Sequence, residues 1–179
     1  MSKQSFKTPK GKFRWAFITG EGRKNLNGEM EYTINVEMPE DEAKPLTDAI
    51  DALWEENKPK GAKAPKSLGY KLLDDGETVS FNLKTKTTYP SGDKKFIRIY
   101  DAKARPVNLD VNTRVGNESE GRASGVMAVY DAGVAARGVT LYLDAVQITK
   151  LIKFEPDSSF DAEDGDFSAE DEGEFAVPF

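Results

Sequence analysis

In the stretch KKFIRIYDAK, Lys94, Phe96, Arg98 and Tyr100 alternate with Lys95, Ile97 and Ile99. Successive side chains of an extended chain point to opposite faces, so this spacing puts two cations and two rings on one face and the isoleucines on the other. Such a set makes and breaks no covalent bond. Cations replace the counter-ions condensed on a phosphate backbone, and flat rings offer surfaces on which unpaired bases stack. The chemistry is therefore the binding of single-stranded nucleic acid. Lys84 and Lys86, outward on the preceding strand, extend the surface, and Lys103 and Arg105 continue it beyond Tyr100. Arg14 and Trp15 on an earlier strand are candidates of the same kind. A blander reading also fits the residues: Phe96 and Tyr100 cap the end of a barrel, and the cations are merely solvated.

Composition narrows the alternatives. The chain has no cysteine and no histidine, which removes disulfides, the usual zinc sites, thiol nucleophiles and the commonest general base. GVAARGVT has the glycine spacing of a phosphate loop, but Val139 stands where the lysine is required. In DAEDGD, Gly165 falls one residue too early for a calcium loop. The body shows neither a nucleophile–base pair nor a carboxylate cluster. The expectation is a protein that is not an enzyme, uses no cofactor and holds no metal. No apolar run is long enough to span a membrane and the first residues carry no apolar signal region, so a soluble, intracellular protein is expected.

Charge is segregated along the chain. The formal net charge is -6, yet ten of the 31 acids and none of the 25 bases lie in residues 155–179, leaving 21 acids against 25 bases in residues 1–154, a net of +4. A basic body thus carries an acidic tail, which is expected to be disordered. The tail closes on FAVPF, and a terminal aromatic is unnecessary for solubility. Glu170, Asp171, Glu172, Glu174, Phe175 and Phe179 are accordingly candidates for contact with a partner.

Several elements must position these residues. Residues 1–12 read as a loose basic arm. KFRWAFI alternates as a strand with Phe13, Trp15 and Phe17 on one face; Phe13 and Phe17 are assigned to the core, and Trp15 to either core or base stacking. MEYTINVEM is a second strand, with Met30, Tyr32, Ile34, Val36 and Met38 on its inner face. The period then changes: Leu46, Ala49, Ile50, Leu53 and Trp54 form the stripe of an amphipathic helix, with Pro45 near its start. KPKGAKAPK is an irregular connector, whose Lys58, Lys60, Lys63 and Lys66 read as solvated. Residues 78–89 and KKFIRIYDAK return to strands, 107–122 form a loop, and GVMAVYDA and GVTLYLDAVQITKLIKF complete the set. Five or six strands, one helix and glycine-rich turns predict a mainly β, OB-fold-like barrel. Residues 1–154 form that domain and 155–179 the tail.

Taken in order, GKFRWAFI, GEMEYTINV before a helix, VSFNLKTK, IRIYDAKARPV, RVGNESEG and RGVTLYLDAVQITKL before an acidic tail resemble the single-stranded-DNA-binding proteins of tailed bacteriophages. The resemblance covers most of the chain. It implies an OB-fold core and sequence-independent binding of single-stranded DNA in phage DNA replication, recombination and repair, in the host cytoplasm. It further implies a tail that regulates DNA binding and recruits replication proteins. VGNESEG departs from the Gly-Asn-Gly-Ser form of that family, because Glu118 replaces the second glycine; its charge tells against close approach of DNA to the loop. Two other classes remain as alternatives: a DNA-mimicking regulatory or protein-interaction module, and a carboxylate-metal nuclease.

Overall fold

The structure, a computed structural model, describes residues 3–153. The expected acidic tail and its candidate residues lie outside the described residues. Nine strands and one helix follow one another as β1 (Lys3–Lys7), β2 (Gly11–Phe17), β3 (Arg23–Lys24), β4 (Met30–Pro39), α1 (Glu40–Asn57), β5 (Tyr70–Leu72), β6 (Thr78–Lys86), β7 (Arg98–Tyr100), β8 (Glu120–Asp131) and β9 (Arg137–Lys150).

Five of these strands close a ring in the order β2-β4-β6-β9-β8, the last pairing back to β2 through Gly11–Gly121 and Lys12–Glu120. All its pairings are antiparallel except β6 with β9. The mainly β, OB-like architecture with one helix is the one expected. The ring accounts for five of the five or six strands expected, and four short strands join it: β3 and β5 edge β4 and β6, while β1 and β7 flank the ring. Of the four, only β7 falls in a stretch whose alternation reads as a strand.

The inner face follows the alternation read from sequence. Tyr32, Ile34 and Val36 of β4 meet Phe81 and Leu83 of β6, and Met127, Leu141 and Val146 close the core from β8 and β9. Helix α1 buries Ala43, Leu46, Ile50, Leu53 and Trp54, with Ala49 partly covered. It begins five residues before Pro45, at Glu40, whose N–H donates to the Glu77 carbonyl at 2.8 Å and is satisfied without a side-chain cap. Glu40, Asp41 and Glu42 sit in the first turn, where the helix dipole favours acids.

Two expectations are corrected. The basic arm is in part strand β1, paired with β8 from Lys3–Ala128 to Lys7–Ser124. Edge pairing uses backbone groups alone, so polar side chains do not forbid it. KKFIRIYDAK is strand only at Arg98–Tyr100. Burial still alternates from Phe96 to Tyr100, with Ile97 and Ile99 inward.

Candidate nucleic-acid interface

The outer wall of β2, β4, β6 and β9 is built in rows by strand register. Arg14, Asn35 and Asn82 form one row, and Asn82 Nδ2 donates to Asn35 Oδ1 at 2.6 Å. The next row runs Phe17, Thr33, Lys84, Tyr142, placing a lysine between two aromatic positions. Arg23, Glu31 and Lys86 make a third. Two residues after Tyr142, and exposed like it, Asp144 is the extra residue of an irregularity in the β8–β9 pairing and takes Arg98 of β7 in an ion pair. The wall therefore continues from Arg14 to Arg98 and Tyr100.

Trp15 reaches this wall through a β-bulge. Between the pairs Arg14–Asn35 and Phe17–Thr33, β2 advances three residues while β4 advances two. The extra residue is accommodated with Trp15 at φ 50, a left-handed conformation that an L-residue adopts at a cost of about 1–3 kcal/mol. Its ring is 59% exposed, whereas Phe13 is fully buried and Ala16 turns inward. The Trp15 N–H, freed from the ladder, donates to Asn117 Oδ1 at 2.9 Å. Phe13, Trp15 and Phe17 thus do not share one face. The assignment of Phe17 to the core is corrected: it is half-buried on the outer wall, with the guanidinium of Arg114 4.9 Å and that of Arg23 5.7 Å from its ring centre.

Over β4 and β6 lies a groove of about 530 Å³, lined by Asn35, Asn82 and Tyr130 and by three lysines, Lys66, Lys71 and Lys84. The lysines come from the connector, from β5 and from β6. Lys66 is held there because its N–H donates to the Arg137 carbonyl at 2.7 Å, tying the connector to β9. Reading Lys66 as part of a solvated linker missed that anchor. Among the described residues, none of the three is in an ion pair.

Most of the other candidate cations are paired. Lys86 meets Glu29 at 3.2 Å, and Arg105 meets Asp101 at 2.9 Å. Lys94 turns into the β2–β4 loop: its ammonium donates to the Gly20 carbonyl at 2.9 Å and stands 5.9 Å from the centre of the Tyr32 ring. Arg14 pairs with Glu37 at 3.5 Å and with Glu118. Backbone donation from Arg105 holds the Asp101 carboxyl below its ordinary range, and the hydrogen bond to Asp144 raises the pKa of Arg98 further. Pairs as exposed as these are worth little, so a phosphate can compete for their cations.

Phe96, 72% exposed, stands apart from the wall. With Lys94 it lines a second groove of about 870 Å³ between the β2–β4 loop and residues 107–114. Tyr100 lines a small recess with Lys7 and Arg122. Lys103 and Arg105 border a further recess in the turn after β7. The structure thus gathers Arg14, Trp15, Lys84, Lys86, Arg98 and Tyr100 along one wall and sets the other four candidates beside it. Sequence reasoning missed Phe17, Lys71 and Tyr142. For Tyr142 the signal existed, since Thr140, Tyr142 and Asp144 alternate with Leu141 and Leu143. No group of three acidic side chains that could hold a metal occurs among the described residues.

In an OB fold the face of the second and third ring strands, with the loops at their ends, is where oligonucleotides bind. Here those strands are β4 and β6, which carry the lysine groove. In fold, the chain is similar to phage single-stranded-DNA-binding proteins. Against gp2.5, a single-stranded DNA-binding protein encoded by bacteriophage T7, the TM-score is 0.63 at 16% identity, over 93% of this chain and 100% of that one. Against the single-stranded DNA-binding protein of bacteriophage Enc34 in complex with single-stranded DNA it is 0.58 at 14% identity, over 82% of this chain and 86% of that one. A C-terminal truncation of the Enc34 protein gives 0.57 at 16%, over 87% and 88%. No family pattern and no curated protein matches the chain in sequence. At 14–16% identity the likeness to these phage proteins is one of fold.

Proposed function

We propose that this chain binds single-stranded DNA without sequence preference, serves phage DNA replication and recombination in the host cytoplasm, and catalyses no reaction. The observation that carries the proposal is the outer wall of β4 and β6, where Lys66, Lys71 and Lys84 line one groove and Trp15, Phe17 and Tyr142 offer rings beside it. Lysines take phosphates, and each stacked base adds about 1–3 kcal/mol whatever its identity. Arg14, Lys86, Arg98 and Tyr100 extend the track, and Lys94, Phe96, Lys103 and Arg105 serve strands that leave it at the β7 side.

The ten carboxylates of residues 155–179 compete for the same cations from a tether, at high effective concentration. DNA displaces them and frees Glu170, Asp171, Glu172, Glu174, Phe175 and Phe179 for replication and recombination proteins. The test is a gel shift with single-stranded DNA, duplex DNA and RNA, using the full chain and a chain ending at residue 154, with and without magnesium. Single-stranded DNA should be retained, and more tightly by the shortened chain. Failure of both proteins to bind favours a DNA-mimicking module, while magnesium-dependent loss of the oligonucleotide favours a nuclease.

A further inference from the structure

Residues 116–119 lie along β2 beyond its last ladder pairs with β8, Gly11–Gly121 and Lys12–Glu120. Phe13 N–H donates to the Ser119 carbonyl at 2.7 Å, Glu118 N–H donates to the Phe13 carbonyl at 3.1 Å, and Asn117 takes the Trp15 N–H. Glu118 is therefore fixed beside Trp15. One of its carboxylate oxygens meets Lys12 Nζ at 3.0 Å and the other meets the Arg14 guanidinium. Two oxygens of one anion, each on a different cation, is also how a phosphodiester sits between a lysine and an arginine. Hydrogen bonding from Lys12 leads the effects that keep this carboxyl below its ordinary range.

Backbone geometry does not account for the residue. Glu118 has φ 75, where glycine or asparagine fits with less strain. The ion pairs are exposed and solvent-screened, so they add little to stability. What the side chain does is neutralise two cations of β2, Lys12 and Arg14, the second of them next to Trp15 in the chain.

We propose that Glu118 is a built-in competitor that occupies the phosphate position between Lys12 and Arg14, so that DNA stacking on Trp15 must displace it. This rests on the single-stranded-DNA reading above. The consequence is weaker binding and a smaller electrostatic footprint than the wall's cations allow. A unit charge about 5 Å from a phosphate changes the binding constant about fourfold at the dielectric constant of water. Each phosphate newly neutralised steepens the salt dependence by about 0.7 in log–log slope.

The test titrates full-length protein with a labelled oligothymidylate across a salt series. Glu118→Gln keeps the side-chain length, and Glu118→Asn suits the left-handed backbone, so a folding defect in one does not end the experiment. Both should bind about fourfold more tightly at low salt, with the slope steeper by about 0.7–1.4. In a Lys12→Ala/Arg14→Ala background, Glu118→Gln should change nothing. Unchanged affinity and slope in both single variants, or a gain that persists in that background, would overturn the proposal. If wild-type protein fails to bind the oligonucleotide at all, the functional reading fails first.

Discussion

Trp15 offers a test in which binding and stability move apart. Its ring is largely exposed and its backbone left-handed, so the fold gains little from the side chain and carries the strain of the conformation. Glycine adopts that conformation freely. Trp15→Gly removes about 1–3 kcal/mol of strain and costs about 0.5–1 kcal/mol in backbone entropy. The expected net change in unfolding free energy runs from about zero to a gain of about 2.5 kcal/mol. Trp15→Ala keeps the left-handed backbone and brings no such gain. Both variants lose the ring, and with it about 1–3 kcal/mol of stacking, a loss of roughly 5–150-fold in affinity. Anisotropy of a labelled oligothymidylate reads the affinity, and urea unfolding followed through the buried Trp54 reads the stability. The chain has two tryptophans, so quenching of the wild-type signal by DNA reports on Trp15. Full affinity in both variants refutes the stacking role. A comparable loss of stability in both shows that the ring supports the fold instead.

Lys84→Gln should weaken oligonucleotide binding and flatten the log–log salt slope by about 0.7, the contribution of one phosphate contact; an unchanged slope removes Lys84 from the path. Asp75 accepts hydrogen bonds from the Glu77 and Thr78 N–H groups, each at 2.9 Å, and from the Thr78 hydroxyl at 2.6 Å. The Thr78 hydroxyl is the leading cause of a carboxyl pKa below its ordinary 3.8, so its stabilising effect is present above pH 3.8 and is lost as pH falls through the lower folded value. Thermal melts of Asp75→Ala should therefore lie below wild type at neutral pH and converge with it in acid; a constant deficit argues against the turn-capping role. Phe179→Ala should leave most oligonucleotide binding intact and reduce capture of replication proteins in a pull-down, and undiminished capture removes the anchor role.

Much of this molecule is written in local pattern. The alternation from Met30 to Met38 fixes the inner face of β4, and the stripe Leu46, Ile50, Leu53, Trp54 fixes the buried face of α1. Period two and period 3.6 are properties of the backbone, so apolar residues at those spacings specify element and face together. The separation of a basic body from an acidic tail is likewise legible without coordinates.

What only the tertiary structure decided concerns partners distant in sequence. One extra residue in β2 sends Trp15 and Phe17 outward, because a shift of a single residue exchanges the faces of a strand and the register belongs to the pair of strands. Arg98 looks free in its own stretch, yet Asp144 of β9 meets it. Lys66 looks like linker, yet a backbone hydrogen bond to Arg137 sets it on the groove with Lys71 and Lys84. Sequence determined that cations and rings occur together on an OB-like sheet. The closing of the ring determined which of them share a wall, and which reach it already paired with an acid.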